Sequence, residues 1–250
     1  MRKAFLALLF VALPAVADDA WKFSLTPYLW LPTLNSKLNY QLPPDAGGGR
    51  FNVEIGPNDY LSHLKFALLL NGDMRKQRYS FVSDAVYLSL GNEESSISAT
   101  NFPQINRDTT TSFKALMWTV AGGYSVNPDV DLIAGVRYLG VDTRANWQLT
   151  TGFGNFPASG SIAKNVDLFD GILGVRGRAK LGERWHLPYY ADVGAGSSKV
   201  TWQAMTGVTY SYNWGDVGLV YRHIAYQQKQ PDLLKNLSLS GPAVTFTFHL

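Results

Sequence analysis

The stretch that decides the fold is Asp170–Gly196, DGILGVRGRAKLGERWHLPYYADVGAG. Gly171, Leu173, Val175, Gly177 and Ala179 alternate with Asp170, Ile172, Gly174, Arg176 and Arg178. Gly182-Glu183 turns the chain. Trp185, Leu187, Tyr189, Ala191, Val193 and Ala195 then alternate with His186, Pro188, Tyr190, Asp192, Gly194 and Gly196. A period of two over both arms marks strands, because successive side chains point to opposite faces. Each arm has about the ten residues that a tilted strand needs to cross a bilayer. One face is apolar and aromatic, whereas the other carries Arg176 and Asp192. A soluble sandwich turns its polar face outward; here the pattern is that of a lipid-facing wall around a polar interior. With Gly182-Glu183 setting the register, Arg176 lies opposite Tyr190 and diagonal to Asp192.

The same alternation extends in both directions. Ala20–Leu31 places Trp21, Phe23, Leu25, Leu29 and Leu31 on one face, and Pro27 suits a position near a seam. Leu64–Met74 runs to a turn at Arg75–Arg78, and Tyr79–Leu90 returns. Thr109–Val126, Val130–Gln148, Val200–Tyr212, Asp216–Tyr226 and Leu237–Leu250 read the same way. Short turns fall near 76, 128, 183 and 214. Long polar loops are expected at 91–108, 149–164 and 227–236. Sorting of short and long connections to opposite ends is what outer-membrane barrels show. Residues 32–61 hold two shorter alternating arms, Leu38–Leu42 and Phe51–Ile55. They are either a pair of wall strands or a hairpin standing above the membrane. The expected fold is therefore all-β: a transmembrane, antiparallel, up-and-down β-barrel of 12 strands, or 10 if the short pair stays out.

The N-terminus, MRKAFLALLFVALPAVADDA, reads as a cleaved signal peptide over residues 1–17, with the barrel over 18–250. Arg2 and Lys3 form a positive start, Ala4–Leu13 is a short apolar run, and Ala15-Val16-Ala17 is an A-x-A site. The run is too short for a helical span, which takes about 20 apolar residues. Removing Arg2 and Lys3 leaves 20 Lys and Arg against 19 Asp and Glu. That near-balance gives no reason to expect nucleic acid. The absence of cysteine rules out disulfides and thiol chemistry.

The last stretch, Gly241–Leu250, places Val244, Phe246 and Phe248 on one face. A final strand of alternating large apolar residues resembles the C-terminal signal that barrel-assembly machinery reads in Gram-negative outer-membrane proteins. That resemblance implies the machinery and outer-membrane lipid as partners. It departs from the usual signal in that His249 and Leu250 follow the last aromatic. WKFSLTPYLWLPTLN, DLIAGVRYLGV (Asp131–Val141) and the opening hairpin resemble a widespread proteobacterial family of small, porin-like outer-membrane β-barrel proteins. The likeness runs along most of the mature chain and implies fold and location. The family has no defined activity to carry over.

The candidate lumen-lining charges are Asp84, Arg137, Asp170, Arg176, Asp192 and Arg222, all on faces assigned inward. An arginine on the lipid face costs roughly 2–4 kcal/mol at mid-bilayer, which fixes those faces. Such charges either fill a narrow barrel as salt bridges or form a constriction that selects small solutes. The expected function is a small porin-like channel. The alternative is a structural or interaction barrel with a closed, salt-bridged interior and partner-binding outer loops, and a lipid-modifying enzyme comes third. No His is followed two residues later by Ser: Lys65 follows His63, Pro188 follows His186 and Ala225 follows His223 at that spacing. G-x-S-x-G and H-E-x-x-H are absent, so no catalytic, cofactor or metal residue is expected.

Overall fold

Alternation becomes pairing in the computed structural model, which describes residues 20–40, 49–92, 110–148, 159–229 and 234–250. The expected signal peptide, residues 1–17, and most of the expected loops at 91–108 and 149–164 lie outside the described residues. The strands are β1 Lys22–Trp30, β2 Thr33–Tyr40, β3 Gly49–Ile55, β4 Leu64–Lys76, β5 Tyr79–Asn92, β6 Thr110–Asn127, β7 Val130–Gln148, β8 Ser159–Lys180, β9 Trp185–Gly196, β10 Ser198–Ser211, β11 Gly215–Gln228 and β12 Leu234–His249. A short helix, α1 (Pro57–Tyr60), and one 3-10 turn (Leu61–His63) join β3 to β4.

Ten strands close the ring. From β4 to β12 each strand pairs antiparallel with the next, and β1 pairs with both β4 and β12. Of the two expected counts, the favoured one of 12 wall strands is corrected to the alternative, 10, with the short pair outside the ring. The chain breaks at Leu31-Pro32, and β2 then continues along the upper part of β12, from Thr33–Ser240 to Leu38–Leu234. Among the described residues β3 pairs with β2 alone. At eight and seven residues, these arms are shorter than the nine to eleven a spanning strand takes. Pro27 does sit at a seam: the β1–β4 ladder stops at the Pro27–Leu70 pair. Tyr60 ties the hairpin base down, its hydroxyl donating to the Pro32 carbonyl at 3.0 Å. Burial raises that phenol above its ordinary range.

The loops expected at 91–108, 149–164 and 227–236 are all in part strand, β5 running on to Asn92. β8 reaches back to Ser159, β11 runs to Gln228 and β12 begins at Leu234. Polar composition does not end a ladder, because paired strands satisfy their backbone groups in water as well as in lipid. The Asp170–Gly196 register is as the turn implies, with Arg176 opposite Tyr190.

The outer wall is apolar. Leu29, Leu68, Phe81, Leu132, Leu173, Val193, Leu219 and Phe246 stand exposed between two aromatic zones. At the short-turn end, Trp185, Tyr210, Tyr212, Trp214 and Phe248 follow one another with ring centroids 4.8–5.8 Å apart, and Tyr79 packs edge-on to Tyr124 at 5.6 Å. Towards the long-loop end, Phe66 meets Tyr87 at 6.0 Å and Trp202 meets His223 at 4.5 Å. Paired girdles bounding an apolar band are what the two faces of a bilayer select.

The interior is layered. Towards the long-loop end the inward side chains are apolar: Trp30, Leu69, Val86, Met117, Leu139, Leu168, Ile224, Tyr226 and Leu237 are buried in one cluster drawn from eight ring strands together with Val220 and Ala243. Below it the interior carries two charged layers, with a small apolar cluster of Val82, Ala121 and Ile133, packed against Tyr190, on one side.

Candidate functional site

Between the apolar layer and the short-turn half lies a transverse polar network. Arg137, on β7, is completely buried, because strand alternation leaves its side chain no route but inward. Its Nη1 donates to Asp192 Oδ1 at 3.0 Å and its Nη2 to the other carboxylate oxygen. Nε donates to Thr119 at 3.2 Å, Nη1 also to Thr201 at 3.4 Å, and Nη2 also to Gln203 Oε1 at 3.0 Å. Gly174 makes room for this: a Cβ there would lie 2.7 Å from Asp192 Cβ and 2.8 Å from its Cα. It would lie closer still to the Ala191 carbonyl oxygen, so a side chain at 174 would push away the stretch of β9 that carries Asp192.

Gln203 Oε1 also accepts from Arg222 Nη2 at 3.2 Å, and that nitrogen reaches Asp84 Oδ2 at 2.6 Å. Arg222 Nη1 donates to the Tyr28 hydroxyl at 2.9 Å, and that hydroxyl donates to Asp84 Oδ1 at 2.7 Å. The guanidinium lies 5.0 Å from the Trp30 ring centroid, in cation–π range. Asp84 and Arg222 sit on β5 and β11, four strands apart the shorter way round the ring. The connected set draws on β1, β5, β6, β7, β9, β10 and β11, so it crosses the lumen from wall to wall.

A second charged layer stands near the short turns. Arg75 clamps Asp131 with bonds of 2.5 and 3.1 Å. Arg176 reaches Asp73 at 2.5 Å and Asp131 at 3.3 Å, while Arg178 reaches Asp216 at 2.6 Å. His249 Nε2 lies 3.1 Å from the same Asp216. Between the two layers is a cavity of about 550 Å3, bounded by Tyr28, Asp84 and Arg222 at its deep end and by Asp129, Arg178 and Tyr189 at its mouth.

The six charges singled out from the sequence all point inward. Arg137, Asp192, Arg222 and Asp84 join in the transverse network, whereas Arg176 belongs to the lower layer and bonds to β4 and β7. Asp170, fully buried, accepts the Ser198 backbone N–H at 2.7 Å; its other oxygen has no protein partner among the described residues. Tyr28, Thr119, Thr201 and Gln203 complete the first layer, and Asp73, Arg75, Asp131, Arg178, Asp216 and His249 the second; none of them is among the six. Their signal is positional, since each falls on the inward register of its strand.

Among the described residues, His186 and His223 do not join a serine and a carboxylate in one group. Ser211 Oγ lies 3.5 Å from His186 Nδ1, but that nitrogen takes an Arg178 N–H at 2.9 Å and is not a free base. His223 Nδ1 bonds Ser240 Oγ at 2.5 Å on the outward face, beside Trp202, with no carboxylate bonded to the ring among the described residues. No three His, Asp or Glu side chains converge as a metal site among the described residues.

No protein-family model matches the chain, and no curated protein matches it in sequence. Several solved structures are similar in backbone. The outer-membrane protease OmpT of Escherichia coli is 9% identical, with 95% of this chain and 99% of that one covered and a TM-score of 0.49. The translocator domain of the autotransporter NalP from Neisseria meningitidis is 10% identical, covering 92% and 88%, with a TM-score of 0.42. The Pseudomonas putida toluene transporter TodX is 11% identical, covering 94% and 91%, with a TM-score of 0.38. All three are outer-membrane β-barrels. At these values the strand pairing alone carries the fold, and none of their activities passes to this chain.

Proposed function

We propose that the protein is an outer-membrane β-barrel of a Gram-negative bacterium whose lumen is closed. It serves as a binding or interaction barrel and does not act as an open porin. The observation that supports this is the continuous chain Asp84–Arg222–Gln203–Arg137–Asp192. It spans the lumen directly beneath an apolar layer drawn from eight ring strands. Solute passage needs a water-filled path, and a ten-stranded barrel is narrow enough for side chains to fill. Here Arg137, Ile224, Tyr226 and Trp30 occupy that path with 4% exposure or less. The girdles and apolar band support the membrane, and the short turns support a periplasmic face at that end. Val244, Phe246 and Phe248, all exposed on the wall, are the surface that the assembly machinery would read.

Conductance of the refolded protein in a planar bilayer tests the reading. Wild type is expected to stay silent. A triple variant, Trp30→Ala, Arg222→Ala and Ile224→Ala, removes bulk from both layers and is expected to show discrete openings. Steady unitary conductance by wild type overturns the closed lumen and restores the porin-like channel.

A further inference from the structure

We infer that the cavity between the two charged layers is a binding site for an uncharged saccharide of one or two rings, entering from the short-turn end. The cavity holds about 550 Å3, within the range that binds small molecules. Of the lining charges, only the Asp129 carboxylate, exposed at the mouth, makes no ion pair among the described residues. Arg222 is held by Asp84, Arg176 by Asp73 and Asp131, Arg75 by Asp131, and Arg178 by Asp216. Inside the mouth, a charged ligand must break one of these pairs and leave its partner uncompensated. A neutral ligand need not.

The free polar groups inside the mouth are hydroxyl and amide. Ser24, Asn71, Thr209 and Thr245 line the cavity and make no side-chain hydrogen bond among the described residues. Each presents a donor and an acceptor on one group, which matches the dual character of a sugar hydroxyl. Tyr190 and Val82 give part of the wall an apolar surface for the C–H face of a ring. The route follows from the layering. Above the cavity the buried apolar cluster fills the lumen, so the long-loop end gives no access. At the other end Arg75 and Arg178 are each 37% exposed in their side chains, so water reaches the mouth.

The test is titration of the folded protein in amine-oxide micelles, which bring no sugar headgroup of their own. Glucose and sucrose are the neutral probes; glucose 6-phosphate and arginine are the charged ones. Saturation-transfer NMR reads contact, and calorimetry reads affinity. Binding of a neutral probe in the range of about 1–10 mM is expected, with the charged probes weaker. Asn71→Leu and Thr209→Val are expected to weaken it at least about tenfold while the heat-dependent gel shift of a folded barrel is kept. Leu173→Ala on the outer wall leaves it unchanged. If Asn71→Leu fails to fold, Thr245→Val takes its place. The inference is overturned by no saturable binding of either sugar, by a charged probe binding more tightly, or by cavity variants that bind as wild type does. A silent bilayer together with no sugar binding removes this site and leaves the closed lumen standing.

Discussion

The Gln203 side-chain oxygen accepts one N–H from Arg137, at 3.0 Å, and another from Arg222, at 3.2 Å. One neutral amide thus joins two ion pairs that start from different walls. Gln203→Leu keeps the volume and removes the acceptor. Each arginine retains its carboxylate, so the loss is that of two hydrogen bonds to charged groups, not that of a broken pair. Unfolding in urea, followed by the gel shift, is expected to show a loss of about 2–3 kcal/mol. An unchanged midpoint would mean that the two pairs are independent.

Arg137 and Asp192 are both fully buried, so each is the other's main compensation for leaving water. Arg137→Met leaves a buried carboxylate without its cation and is expected to cost about 3–5 kcal/mol, whereas Arg137→Met with Asp192→Leu recovers most of it. The comparison is one of urea midpoints for the three proteins. A double variant as unstable as the single one shows that packing around Thr119 and Thr201 matters, and not the uncompensated charge.

These two experiments probe features that differ in how far the sequence shows them. Which way Arg137, Asp192 and Arg222 point was legible, because a period of two leaves only two faces and lipid excludes charge from one. The identity of their partners was not. Arg176 faces Tyr190 in the ladder, as the turn implies, but its ion pairs go to Asp73 and Asp131, across the lumen. Sequence periodicity orders neighbours along and between adjacent strands; lumen contacts depend on barrel shear and diameter. The apolar layer had a signal that a wholly polar interior hides. Leu64–Leu70 and Ala115–Ala121 are apolar on both faces except at Lys65 and Thr119, and the structure turns one face to the outer wall and buries Leu69 and Met117 inside. The strand count stayed open at 10 or 12 because the arms after Pro32 alternate like wall strands and are only short.

The C-terminal strand separates recognition from stability. Phe246 and Phe248 face outward, about 41% exposed, and contribute little to the interior. The residues beyond them are still part of the ring: His249 pairs with Ser24, and the Leu250 N–H donates to the Phe23 carbonyl at 2.9 Å. Phe246→Ala with Phe248→Ala is therefore expected to refold in micelles much like wild type. In cells the amount assembled in the outer membrane should fall several-fold if those side chains are what the machinery reads. Equal loss in both settings would assign the two rings to stability alone.

Ring closure makes a sharper demand on the β2–β3 hairpin. The ten-stranded ring is closed by β1 against β4 and β12, through pairs such as Lys22–Arg75 and Leu29–Val244. Among the described residues the hairpin adds to the ring the ladder along upper β12 and the contact of Leu34 with the apolar cluster. Replacing residues 33–55 with a short Gly-Ser linker keeps Pro32 and Tyr60, and so the bond that anchors the fork. The shortened chain is expected to refold into a barrel with its gel shift intact and a urea midpoint only modestly lowered. Were the hairpin a pair of wall strands, its removal would leave two facing edges with unpaired backbone in lipid, at a cost of several kcal/mol for each unsatisfied group. No folded species would then form, and the closure would have to be redrawn with twelve strands.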